Sequence, residues 1–117
     1  MLFLHEVHEV RGAHEDEFET AFRDVFLAAV ATGDDARLLY FLHHAHGTGA
    51  SYRVITVTAV RDGLAYGRLI QRIDRGDLRS WATDVDRLRH DVRAKLLVPL
   101  PWSPLQSVAL DTVPTLV

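Results

Sequence analysis

Hydrophobic positions along this chain switch between two periods. Leu2 to Val10 alternates loosely in Leu, Phe and Val, which predicts a strand. Gly12 closes it, and Glu15, Asp16 and Glu17 put negative charge where a helix begins. Phe18, Phe22, Val25 and Ala29 follow at spacings of four and three, an apolar stripe on a helix from about Glu15 to Ala31, ended by Gly33. Arg37 to His46 returns to strand character through Leu38, Leu39, Tyr40, Phe41 and Leu42. Gly47-Thr48-Gly49 is a link free to turn, and Tyr52 to Val60 is a third strand rich in β-formers. These two strands are expected to pair as an antiparallel hairpin.

The helical period then resumes. Tyr66, Leu69, Ile70 and Ile73 share a face behind Asp62-Gly63, and Gly76 breaks the run. With Asp77 as the expected N-cap, Leu78, Trp81, Val85, Leu88 and Val92 continue at three- and four-residue spacing. Leu64 to Leu96 is therefore read as two helices with a break. Pro99, Pro101 and Pro104 make an extended segment carrying Leu100 and Trp102. Leu105 to Leu110 is read as the last strand and the tail from Asp111 as loose or partner-bound. The order β-α-β-β-α-(α)-β is ferredoxin-like, class α+β, one domain over residues 1–117. Helices cover one face of such a sheet. A second copy is the expected cover for the other, giving a dimeric α/β barrel with a cavity.

Composition narrows the function classes. The 117 residues contain no cysteine, which removes disulfides, thiolate metal sites and cysteine nucleophiles. Net charge is -3 and no basic stripe is present, so nucleic acid is not an expected partner. No run approaches a membrane span and the N-terminus lacks signal-peptide character, so the expected partners exclude a membrane and the expected location is the cytoplasm. Gly47-Thr48-Gly49 lacks the helix a phosphate cradle needs, and Ser51, Ser103 and Ser107 lack a nucleophile-elbow context.

Leu4-His5-Glu6-Val7-His8-Glu9-Val10-Arg11-Gly12, with His14-Glu15-Asp16-Glu17-Phe18 beyond it, resembles the opening strand, turn and acidic helix start of the NIPSNAP-like group of the dimeric α/β-barrel superfamily. Leu96-Leu97-Val98-Pro99-Leu100-Pro101-Trp102-Ser103-Pro104-Leu105 is similar to that group's closing segment. The resemblance implies the fold and the homodimer. The superfamily includes antibiotic-biosynthesis-type monooxygenases that use no cofactor, cyclases, isomerases, dehydratases, haem enzymes and members without known activity, so it does not fix a reaction. The opening strand departs from the group's pattern, with His8 and Val10 where arginine and tyrosine are usual.

The candidate chemistry lies in the seven histidines, five of them in two short runs. Strand parity groups Glu6 with His8, and Tyr40 with His44 and His46; His5 lies opposite His8, and His43 opposite His44. The wholly apolar face of Ile55, Val57 and Ala59 is expected under the helices. The mixed faces, Glu6/His8, Tyr40/His44/His46 and Thr56, are expected to look into the barrel, unless a bulge reverses them. The leading reading is an enzyme without an organic cofactor, acting on a hydrophobic or aromatic small molecule. His8, His44 or His46 would transfer the proton, with His5 in reserve and Glu6 orienting an imidazole. Tyr40, Thr56 and Trp102 would contact substrate. Two alternatives stay open. One is a non-catalytic binding or scaffold dimer. The other is a metal or haem enzyme, its metal held by His44 and His46 with His8 or Glu6.

Overall fold

A computed structural model describes residues 1–49 and 52–115 of the chain; Ser51 lies outside them. Four strands form one antiparallel sheet: β1 (Leu2–Val10), β2 (Ala36–His43), β3 (Arg53–Val60) and β4 (Arg89–Leu97), in the order β2-β3-β1-β4. Three helices lie on one face: α1 (residues 15–30), α2 (Gly63–Arg75) and α3 (Arg79–Arg87). The expected α+β ferredoxin-like class and the β2–β3 hairpin are observed. Phe18, Phe22, Phe26, Val30, Leu69, Leu78 and Val85 pack from the helices onto Val10, Leu38, Val54 and Val60 of the sheet.

Helix α1 is interrupted. Glu15–Ala21 and Leu27–Val30 flank a π-helical turn at Phe22–Phe26, in which the Leu27 N–H donates to the Phe22 carbonyl. The sequence stripe predicts Val25 and Ala29 inward. The structure buries Phe26 and Val30 instead, and leaves Val25 exposed. Four-residue spacing from Phe18 to Val30 drifts around an ideal α-helix, and the wider π-turn brings it back onto one line. The Asp62 side chain caps α2, accepting from the Ala65 N–H at 2.8 Å. Asp77 is not the cap of α3; that position is Leu78, and the Asp77 carboxylate pairs with Arg72 at 2.8 Å.

The last strand departs most from the sequence reading. The helix expected to run through Val92 stops at Arg87, and residues 89–97 form β4 along β1. Leu88 and Val92 satisfy a helical spacing, but Val92, Ala94 and Leu96 equally satisfy a strand alternation, and pairing with β1 decides between them. Leu105 to Leu110 is not a strand. It belongs to an arm beyond β4 that turns at Pro101-Trp102, where the Gln106 amide donates to the carbonyls of Leu100 and Ser103.

Register fixes the two faces. Leu4, Glu6, His8 and Val10 share the helix side with Val54, Thr56, Thr58 and Val60. The other side carries Phe3, His5 and Val7 beside Val57 and Ile55. A register shift in β2 between Leu38 and Tyr40 leaves Leu38, Phe41 and His43 toward the helices and Tyr40 and Leu42 away from them. The expected orientation of Glu6, His8 and Thr56 is therefore reversed, while that of Tyr40 holds. The chemically mixed face is the one under the helices, where its polar atoms find partners; the wholly apolar residues Ile55 and Val57 lie on the uncovered face.

Candidate functional site

The π-turned helix α1 and the β2–β3 hairpin leave a cleft between them. Because β2 is a sheet edge, the residues at its end are not fully roofed. The cleft has an apolar floor of Val10, Phe41 and Val54 and a volume of about 210 Å³. Around its mouth stand Glu15, Asp16 and Glu19 from α1, and His43, Tyr52 and Arg53 from the hairpin. An apolar hollow of about 200 Å³ adjoins it, sharing Glu19 and Phe41 and lined further by Phe22, Arg23, Leu27 and Leu38. The π-turn thus forms one wall of this trough, a placement such turns often have at functional sites. Arg53 donates to Glu9 Oε1 at 2.9 Å, yet its Nε is buried without a partner. By register Arg53 shares the face of Val7 and Ile55, so its guanidinium lies with Glu9 toward the uncovered side of the sheet rather than over the apolar floor.

Behind the floor lies a polar chain. His8 is fully buried, edge-on to Phe18 and Phe22 at ring distances of 5.1 and 5.5 Å. An Arg89 guanidinium N–H donates to His8 Nδ1 at 2.9 Å. Arginine can only donate, so Nδ1 is the acceptor and the proton sits on Nε2, which donates to Thr56 Oγ1 at 2.9 Å. Thr56 also lies beside Glu6, whose ionised form its hydroxyl favours. Burial, reinforced by the positive charge of Arg89, pushes the His8 pKa down from 6.5 to about 3. Burial pushes the Glu6 carboxyl up, against the opposing pull of Arg89 and Thr56. Asp86 holds Arg89 from the other side.

Three of the expected site residues, Glu6, His8 and Thr56, are therefore brought together, but inside the helix–sheet layer. His8 has no ring nitrogen free for a substrate or a metal, so in this arrangement it is a structural imidazole. His44 and His46 are exposed in the loop after β2 and do not line the cleft. His5 and Tyr40 are on the uncovered sheet face, and Trp102 is 78% exposed on the arm. The ligand set of His44 and His46 with His8 or Glu6 is not assembled; among the described residues no three His, Asp or Glu side chains converge as a metal site. Sequence reasoning missed His43, Arg53 and Arg89. For His43 the signal was available, since a histidine on the helix side at the end of an edge strand has no complete roof.

No protein-family model matches the chain, nor does any curated protein. Solved structures do. A NIPSNAP domain protein of Burkholderia xenovorans superposes with a TM-score of 0.69 at 19% identity, covering 89% of this chain and 99% of its own. A NIPSNAP family protein of Agrobacterium tumefaciens gives 0.66 at 14% identity, over 89% and 97% of the two chains. A Nitrosomonas europaea protein, described as a candidate antibiotic biosynthesis monooxygenase, gives 0.65 at 12%, over 86% and 99%. The chain has the ferredoxin-like fold that these NIPSNAP and monooxygenase-type proteins share, as its opening and closing segments led one to expect. Among the described residues no helix is long and apolar enough to cross a membrane.

Proposed function

We propose that this protein is a small acid–base enzyme that takes an aromatic or hydrophobic molecule into the cleft between α1 and the β2–β3 hairpin, with His43 transferring the proton. The observation that carries the reading is one imidazole at the mouth of a hollow whose floor is apolar. Such a floor excludes water from a bound ring, and His43 stands where a phenol or an acidic C–H beside a carbonyl would emerge. Tyr52 supplies a hydroxyl to a substrate oxygen. The reaction class is one that begins with proton abstraction: oxygenation of a substrate carbanion, cyclisation, isomerisation or elimination. The likeness in fold to the Nitrosomonas protein is compatible with the first of these.

The working unit in this proposal is a homodimer. Tyr40, Leu42, Ile55, Val57, Val7 and Phe3 make an apolar face that the helices do not cover. A second copy offers the same pattern, and two such faces bury each other. The arm, with Leu100, Trp102 and Leu105 all exposed, would reach across the seam.

The test is turnover of a panel of phenols and cyclic ketones by the wild type and by His43→Ala. The variant is expected to lose roughly 10²–10⁴ in rate with an unchanged urea midpoint. A loss under about threefold, on the same scale, removes His43 from the chemistry. The sealing of His8 favours a second reading, a binding module without catalysis. It wins if a ligand perturbs the His43 and Tyr52 signals and is recovered unchanged.

A further inference from the structure

We infer that the cleft selects a cationic amphiphile, a molecule of one aromatic or apolar ring carrying a protonated amine. The inference rests on the cleft being the ligand site and adds the sign of the ligand's charge. Val10, Phe41 and Val54 give the floor no polar side chain, so the ring is the part that goes in. An apolar cavity of about 150 Å³ takes a benzene ring, and this one offers about 210 Å³. What remains outside the floor meets Glu15, Asp16 and Glu19 on one side of the mouth.

The positive groups nearby do not cancel those three carboxylates. The amino end of α1 contributes about half a unit of positive charge, and only to the first turn, which holds Glu15 and Asp16 but not Glu19. Arg23 binds Asp24 at 2.8 Å and comes no nearer than 4.0 Å to Glu19. Arg53 is the guanidinium of the lining, and it is drawn to Glu9 at 2.9 Å. His43 is the remaining basic group of the mouth. An anionic headgroup would stand against this excess of like charge, whereas an ammonium offsets it. The rings of Phe41 and Tyr52 add faces on which a cation can rest.

Three matched probes separate charge from shape: tyramine, tyrosol and 4-hydroxyphenylacetate share the phenol and differ in a positive, neutral or negative tail. Each is titrated at low salt, with binding followed by calorimetry and by the NMR signals of His43 and Tyr52. Tyramine is expected to bind at least about tenfold more tightly than 4-hydroxyphenylacetate, with tyrosol between them. In the variant Glu15→Gln/Glu19→Gln the three affinities are expected to converge within about threefold. Equal affinities in the wild type, or a preference for the acid, overturn the charge inference and leave the cleft standing. If none of the three moves the His43 or Tyr52 signals, the cleft reading falls with it.

Discussion

The buried His8 makes an unusual demand on the pH dependence of stability. In the unfolded chain its imidazole titrates near 6.5; in the fold, burial and Arg89 push this down to about 3. Between those values the unfolded state binds a proton that the folded state refuses. The His8 contribution is therefore complete above about pH 6.5 and is lost as pH falls toward the folded value. Each unit within the window is worth about 1.4 kcal/mol, so between pH 6.5 and 4.5 the loss is about 3 kcal/mol. Domains of this size are stable by roughly 5–15 kcal/mol, so the loss is a large part of the whole. Glu6 acts in the opposite sense: its raised carboxyl contributes fully below its unfolded value of 4.5 and loses that contribution as pH rises through the folded value. The lowered carboxyls of Asp24, Asp35, Asp62 and Asp77 also favour higher pH. A difference measurement removes these shared contributions. Urea melts of the wild type and His8→Gln, each from pH 7 to 4.5, are compared at every pH. The carboxamide that this variant introduces can still donate to Thr56 but cannot titrate. At pH 7 the variant should be weaker by about 1–3 kcal/mol for its imperfect replacement of two buried hydrogen bonds. By pH 4.5 that gap should close by about 3 kcal/mol. Repeating the pair in a Glu6→Gln background tests whether the coupled carboxyl distorts the slope. A wild-type minus variant difference that stays flat, or a His8 C2–H signal that titrates near 6.5, refutes the buried neutral imidazole.

Other substitutions probe the frame. Gly67 lies inside α2 with open space where a Cβ would go, so Gly67→Ala should raise stability by about 0.5–1 kcal/mol in thermal melts. Gly76 is the reverse case: a Cβ there would sit 2.8 Å from the Arg72 Cα, so Gly76→Ala should cost about 1–3 kcal/mol. Val57→Glu places a carboxylate in the middle of the uncovered sheet face. If the proposed homodimer forms, the substitution should halve the mass that light scattering gives for the wild type while leaving the circular dichroism of the chain unchanged; a wild-type monomer removes the dimer, and an unaltered dimer removes that face from the interface.

Much of the frame was legible. β1, the start of α1, the β2–β3 hairpin and the break at Gly76 follow from periodicity and turn chemistry. β4 was not, because Leu88 and Val92 fit one period while Val92, Ala94 and Leu96 fit the other. Only the hydrogen bonds offered by the free edge of β1 choose between them, and that edge is a long-range fact. The site was half legible. Parity correctly grouped Glu6 with His8 and placed Thr56 on the mixed face of its strand. It could not foresee Arg89, which reaches His8 from 81 residues away in sequence. Nor could it foresee the β2 shift that puts Leu38 on the helix side while Tyr40, of the same parity, faces away.

The reversed faces carry a lesson about cover. The sequence rule sends the most apolar face of a strand under the helices and the mixed face outward. In β3 it fails: Thr56 and Thr58 are buried, while Ile55 and Val57 face away from every helix. A buried threonine is tolerable when its hydroxyl has a partner, and Thr56 has one in His8. An apolar row on an open face has no such remedy within the chain; it is stabilised only by being taken out of water. In β3 the side turned from the helices is thus the more apolar of the two, although its neighbours bring Arg37, Arg93 and Lys95 to that face. In the homodimer proposed above a second copy would cover that row, and the two faces would have separate roles. The outer one, with His5 and Tyr40 on it, would serve assembly. The proposed chemistry would then fall to the helix side, where the edge strand opens the layer beside His43.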